Sequence, residues 1–235
     1  MQVQILELVE GARQARGLTV IIDVFRAFSL EPYLFAQGAK QIFPIGSVED
    51  ALALKREHPD YISFGERGGA QVEGFEYGNS PSQVEGVDFT GKTLIHTTSA
   101  GTQGIVNASG ATSIVCASLV NASAVARYIR SEDPEEVSIV AMGNAGVRTA
   151  EEDVLCAHYL KDLLEGADPE AAHAAYQQKA TAFAETCGHK FFDPAHPEFP
   201  EADFALCTTL DRFDFVVRVG HDRKGRLVNT PVKAG

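Results

Sequence analysis

The sequence is poor in positive charge. Twenty Lys+Arg stand against thirty-two Asp+Glu, a formal net charge of −12 over 235 residues. A nucleic-acid-binding face needs a basic surplus, so that class of partner is set aside. An anionic small molecule is not, because a local pocket can oppose the global field. No apolar run approaches the roughly 20 residues that span a bilayer, so no membrane partner is expected. Met1–Glu10 has neither a basic start nor a long apolar stretch, which gives no sign of a signal peptide. Cysteine is scarce. Cys116, Cys156, Cys187 and Cys207 are widely spaced with no C-x-x-C, which argues against a zinc site or a disulfide framework and for reduced thiols in a cytoplasmic protein. There is no H-x-x-H or H-E-x-x-H, so a histidine metal centre is not expected. The G-K-[ST] ending of a Walker loop and the G-x-G-x-x-G fingerprint are also missing. A nicotinamide or flavin oxidoreductase is therefore disfavoured.

What remains is ordinary for a soluble globular chain: 45% hydrophobic and 22% charged residues. A chain of this length buries a sizeable core without staples. Apolar, β-rich runs recur at Val3–Leu8, Leu18–Ile22, Gln41–Ile45, Tyr61–Phe64, Thr93–Thr97, Ser113–Ala117, Val137–Met142 and Phe213–Val219. Several are nearly unbroken, which fits strands covered by helices on both faces. Helix signals lie between them. Ser47 and Asp50 open a segment that Pro59 stops. Asn121 is placed to cap a helix carrying Val125 and Ile129, and Thr149-Ala150-Glu151-Glu152 reads as a capping box before Leu155, Tyr159 and Leu163. Pro169–Thr186 and Glu201–Leu210 read as further helices. The segment Phe213–Val228, turning around Asp222-Arg223-Lys224-Gly225, reads as a β-hairpin, giving an antiparallel edge to the sheet. The alternation predicts an α/β fold of three layers, α/β/α, with a mostly parallel mixed sheet. One domain is expected over residues 1–235, with a helical excursion at about 166–210. An apolar patch on Pro169–Thr186 leaves a homo-oligomer open.

In open α/β sheets, ligands sit outside the carboxyl ends of the strands. The polar residues that follow each strand are therefore the candidates. Asp23 ends an apolar strand, where a carboxylate holds a hard cation such as Mg²⁺, attacks phosphorus, or simply caps the next segment. Arg26 and Arg67 carry guanidinium forks that suit phosphate or sulfonate oxygens, or else a surface ion pair. Glu66 precedes Arg67 in the same strand-end loop. Asn79 and Ser80 lie between two strands. Thr97-Thr98-Ser99-Ala100-Gly101-Thr102 joins a strand to a helix, and its small residues and hydroxyls suit an anion at a helix N-terminus. Glu151, Glu152 and Asp153 have a bland explanation in the helix dipole. His96 is the histidine nearest this rim and a candidate general acid.

Taken in order, these motifs resemble the 2-phosphosulfolactate phosphatase family. Asp23-Val24-Phe25-Arg26-Ala27, Gly65-Glu66-Arg67-Gly68-Gly69, Glu73-Gly74-Phe75 with Gly78-Asn79-Ser80-Pro81, and Thr97-Thr98 with Gly101-Thr102 carry the resemblance. So do Ser118-Leu119-Val120-Asn121-Ala122, Glu152-Asp153 with Cys156-Ala157, and the Asp211–Val217 ending. The resemblance implies a Mg²⁺-dependent hydrolase that releases phosphate from 2-phosphosulfolactate, giving sulfolactate, a step toward coenzyme M. Two positions depart from the family's usual pattern: Phe28 stands where a hydroxyl is usual, and Ala100 where an amide is.

On this reading Mg²⁺ is held by Asp23, with Glu66, Glu152 and Asp153 as further candidate ligands. Asp23, Arg26, Glu66 and Arg67 form the catalytic set. Asn79, Ser80, Thr97, Thr98, Gly101 and Thr102 cradle the phosphate or a second anionic group. The alternative is a non-catalytic binder of a phosphorylated or sulfonated metabolite, motivated by Phe28 and Ala100.

Overall fold

A computed structural model describes residues 1–235. Ten strands form one mixed sheet. At one side β1 (Gln2–Glu7), β8 (Glu136–Ala141), β2 (Gly17–Ile22) and β7 (Ala111–Ala117) lie side by side and parallel. Next come β9 (Phe215–His221) and β10 (Leu227–Lys233), an antiparallel pair. Beyond them β3 (Gln41–Pro44), β6 (Thr93–Thr97) and β4 (Ile62–Arg67) are again mutually parallel, and the two-residue β5 (Ala70–Gln71) closes the far edge.

The hairpin is therefore present, but not at an edge. It sits in the middle of the sheet, joined to β7 on one side and meeting β3 at Asn229 and Ile42 on the other. Val216 and Val217, adjacent in sequence, are both buried, as an interior strand requires. The hairpin also reverses the sense of the ladder, so the β3–β6–β4 block runs opposite to the β2 block. Five strand-to-strand steps separate β2 from β6, and at roughly 20–25° each they turn one block by about 100–125° against the other. That coiling lets the carboxyl ends of β2, β4, β6 and β8 reach a common cleft.

The unbroken runs are explained by two-sided burial. In β2, Leu18, Val20 and Ile22 join a cluster with Val125 and Ile129 of α5 (Ala122–Glu132), Tyr159 and Leu160 of α6 (Glu151–Leu164), and Tyr176 of α7 (Pro169–Ala182). Ile21 points the other way, into a cluster with Ala12 of α1 (Leu8–Gln14), Phe28, Leu30 and Leu34 of α2 (Ala27–Ala36), and Ile105 of α4 (Gly101–Asn107). Over the other block, Phe43 and Ile95 pack against Ala51 and Leu54 of α3 (Val48–Glu57). The apolar positions of α7, Ala172, Tyr176 and Ala180, are consumed within the chain. No helix is long and apolar enough to cross a membrane.

Local signals fared unevenly. Ser47 does cap α3, its hydroxyl accepting from Asp50 N at 3.0 Å. Thr149 does not cap α6. Its hydroxyl donates to Glu7, and Ala150 occupies the cap position without a side-chain bond. The Asn121 carbonyl accepts from Ser118 N at 3.0 Å instead of capping α5. The first strand stops at Glu7, because Leu8 takes a positive φ of 66° and opens α1. The 166–210 segment holds α7, short 3₁₀ turns at Phe183–Glu185 and His189–Phe192, and α8 (Glu201–Thr208).

Candidate functional site

A cleft of about 590 Å³ opens where the strand ends meet. Asp23 and Arg26 enter it from the end of β2, Glu66 from β4, Ser99 and Ala100 from the β6–α4 loop, and Glu152 and Asp153 from the first turn of α6. Asn79 contributes from the loop before the Pro81–Val84 turn. The opposite wall comes from the helical excursion, through Cys187, Lys190, His196, Glu198 and Phe199.

Three of the four carboxylates are held by pairs of backbone N–H groups. Asp23 accepts from Ala27 N at 3.1 Å and from Gly101 N at 2.8 Å, so one carboxylate caps the starts of both α2 and α4. A methyl group on Gly101 would lie 2.9 Å from the Asp23 carboxylate and 3.0 Å from Phe28, so only glycine permits the approach. Asp153 accepts from Val24 N and from Gly143 N, both at 2.7 Å, and ties α6 to the ends of β2 and β8. Gly143 takes a φ of 67° with its α-carbon against the carbonyl of Arg148, a position no side chain could share. Glu66 accepts from Ser99 N at 2.6 Å and Gly69 N at 2.8 Å. Glu152 differs: its Oε2 is buried and has no partner.

Burial, and after it the crowding of like charges, raises three of these acids. Burial, augmented by the charge of Glu66, holds the Asp23 carboxyl up to about 6. Asp153 is pushed well above its usual range by burial and then by the charges of Asp23 and Glu152. Burial also raises Glu152. Cys187, beside Glu152, is pushed up to about 12 by burial first and then by that carboxylate, so it is no nucleophile.

Of the residues singled out from sequence, Asp23, Arg26, Glu66, Asn79, Glu152 and Asp153 share the cleft, whereas Arg67, Ser80, Thr97, Thr98, Gly101 and Thr102 do not line it. Arg67 neighbours Glu66 on a strand, so the two side chains take opposite faces. Its guanidinium donates to the Glu66 carbonyl at 2.6 Å and to the Thr97 hydroxyl at 2.9 Å. Thr98 and Thr102 bond each other's backbone, Thr98 N donating to the Thr102 hydroxyl at 2.9 Å and Thr102 N to the Thr98 hydroxyl at 3.1 Å. Ser80 donates to Asp203 at 2.8 Å.

Arg26 lines the cleft, yet three of its five N–H donors are committed. It bonds Asp203 and the Glu198 carbonyl, each at 2.9 Å, and the Gly69 carbonyl at 2.9 Å, with its guanidinium 4.7 Å from the centre of the Phe199 ring. His96, the candidate general acid, is fully buried and does not line the cleft. Its ring nitrogens lie 2.9 Å from Glu31 and 3.0 Å from Asn79, so it braces a residue that does line the cleft. Phe28 is core, 1% exposed, so the missing hydroxyl leaves no gap at the site. Lys190 was not legible as a site residue, because nothing near it in sequence marks a strand end; Arg148 follows the Val137–Met142 strand by six residues and its place on the cleft is shown by the structure alone.

Buried acids with raised pKa values, grouped at strand ends, mark an α/β enzyme. Comparison with known proteins gives the particular family. A family model described as 2-phosphosulpholactate phosphatase matches residues 3–222. A protein of Bacillus subtilis (strain 168) named "Probable 2-phosphosulfolactate phosphatase" is 34% identical over 208 residues, covering 87% of this chain and 88% of its own. One of the same name from Carboxydothermus hydrogenoformans is 30% identical over 234 residues, 97% of both chains. One from Gloeobacter violaceus is 38% identical over 158 residues, 66% of each. The chain belongs to the 2-phosphosulfolactate phosphatase family, a family of phosphoric monoester hydrolases.

Proposed function

We propose that the chain hydrolyses 2-phosphosulfolactate to sulfolactate and phosphate with the help of Mg²⁺. The observation that carries the reading is the convergence of Asp23, Glu66, Glu152 and Asp153 on one cleft, with a buried Glu152 oxygen left unpartnered.

The donor set suits a hard cation. It is all oxygen, rich in carboxyl groups and desolvated, and the orphaned Glu152 Oε2 needs a partner. No three acid, histidine or cysteine side chains stand close enough to form a cage. That also fits Mg²⁺, which is usually held by one or two carboxylates with water and substrate phosphate completing its shell. Asp23 and Glu152 would hold it, Asp153 and Glu66 keeping their backbone bonds and shaping the charge around them. Bound there, Mg²⁺ would offset charge on the phosphoryl oxygens as a Lewis acid. Asp23 keeps a free lone pair on each oxygen, and two N–H bonds aim it into the cleft. The Ser99 and Asn79 side chains are placed to orient the substrate.

The test is phosphate release from 2-phosphosulfolactate with Mg²⁺ and after chelation. Turnover that vanishes with chelator and returns with Mg²⁺ supports the proposal. Undiminished turnover after chelation rejects the metal, and tight binding of the ester without turnover favours the non-catalytic binder. A second test is steric. Gly101→Ala is expected to displace the Asp23 carboxylate and lower kcat by up to about 10²-fold, since misplacement by about 1 Å costs that much. Wild-type kcat in this variant would show that the carboxylate position is not critical.

A further inference from the structure

The guanidiniums expected to meet the substrate's negative charge are largely engaged elsewhere: Arg26 commits three of its five donors to Asp203 and two carbonyls, and Arg67 lies outside the cleft. His196, also on the cleft, pairs with Glu198 at 3.1 Å. Lys190 is left, with Arg148 at the exposed rim.

Lys190 arises from the His189–Phe192 turn and is half-buried. Its Nζ lies 4.6 Å from the centre of the Phe199 ring and 5.6 Å from those of Phe25 and Phe191. Those faces attract the cation, but they accept none of its hydrogen bonds well. Three N–H donors stand on a side chain already confined by rings. None of the ion pairs in the molecule includes Lys190. The nearby carboxylate, Glu152, feels its charge without closing a pair. An ammonium so held is prepared for an anion that comes from outside.

A small phosphorylated hydroxy acid brings more than one anion. Its phosphoryl group belongs with the carboxylates at the strand ends, so its second group falls against the facing wall, where Lys190 stands. We infer that Lys190 receives the sulfonate or carboxylate that the substrate carries beside its phosphoryl ester, and so sets substrate preference. The inference rests on the phosphatase reading.

The test compares wild type with Lys190→Met, which keeps the volume against the rings. The substrates are 2-phosphosulfolactate, 2-phospholactate, which lacks the sulfonate, and isopropyl phosphate, which lacks both anions. A charge-assisted contact predicts a loss of about 10- to 100-fold in kcat/KM on 2-phosphosulfolactate, carried by KM, and a much smaller loss on isopropyl phosphate. An equal loss on 2-phospholactate assigns the carboxylate to Lys190, and a sparing of that substrate assigns the sulfonate. If Lys190 served only as counter-charge to Glu152, all three substrates would lose the same factor, and the inference falls. Calorimetric titration with sulfolactate alone keeps the inference testable without turnover. Binding at least about tenfold weaker in the variant supports it. Equal binding overturns it, whether or not the phosphatase reading stands.

Discussion

Asp23→Asn is expected to give a folded protein that releases phosphate on the order of 10³-fold more slowly, or worse, than the parent chain. The fold survives because the change is nearly isosteric. Asp23 accepts from Ala27 N and Gly101 N, and the asparagine carbonyl keeps one of these bonds. The amide nitrogen faces the other N–H, a loss of about 1–3 kcal/mol. The same change removes a buried charge, and the sign of that effect is fixed by linkage. Burial lifts the folded Asp23 pKa from 3.8 to about 6. Between those values the folded state binds more protons than the unfolded state, so the wild type loses stability as pH rises through the window and no more above it. The amide has no such loss, so the variant gains relative to wild type from about pH 4 to 6. Activity behaves in the opposite way. If the ionised carboxylate does the work, wild-type phosphate release climbs with pH through about 6, and saturating Mg²⁺, which competes with the proton, moves that limb to lower pH. Circular dichroism and urea midpoints at pH 4 and 7, beside phosphate release, check each part. Release within a few-fold of wild type would remove Asp23 from the centre of the mechanism.

The parts of the molecule legible in the sequence were those whose cause is local. Leu18–Ile22 reads as a two-sided strand because both its faces are buried, and Ser47 reads as a cap because its partner is three residues on. The helix Ala27–Ala36 was invisible for the converse reason. Phe28, Leu30, Leu34 and their polar neighbours Ser29 and Glu31 are all buried, so no apolar stripe exists to betray a period. Pairing of the C-terminal strands could be read from their turn, but not their place in the middle of the sheet, since neighbours in a ladder are a tertiary fact. At the site, carboxylates were easier to place than cations. An acid that ends a strand is fixed by its own backbone, whereas the fate of Arg26 was decided by Asp203, 177 residues away. The two-residue period of a strand allows only one of Glu66 and Arg67 to face the cleft, and Glu66 does.

The Arg26–Asp203 pair is where stability and function can be separated. Both side chains are almost wholly enclosed, at 2% and 0% exposure. Asp203 sits in the first turn of α8 and also accepts from the Ser80 hydroxyl at 2.8 Å and from Ser82 N at 2.9 Å, so it joins the excursion, the Asn79–Ser80 loop and the end of β2. Asp203→Ala would strand a buried guanidinium and two further donors. The expected cost is about 3–5 kcal/mol, read as a fall in the urea midpoint. For a chain of this size that is a drop of roughly 6–20 °C in Tm. The pair itself is worth much less than this figure, because desolvation consumes most of its attraction. Arg26→Met with Asp203→Leu replaces both charges by apolar groups of similar bulk and is expected to recover the part of the loss due to the stranded guanidinium, while the Ser80 and Ser82 donors stay unpaired. That double variant also decides what Arg26 does. A guanidinium occupied by Asp203, Glu198 and Gly69 serves to fix the wall of the cleft, so phosphate release should stay within about tenfold of wild type, the decade that 1.4 kcal/mol represents. A stable double variant with release lost a thousandfold would return Arg26 to the phosphoryl group, and an Asp203→Ala midpoint close to wild type would show that the pair does not hold the cleft together.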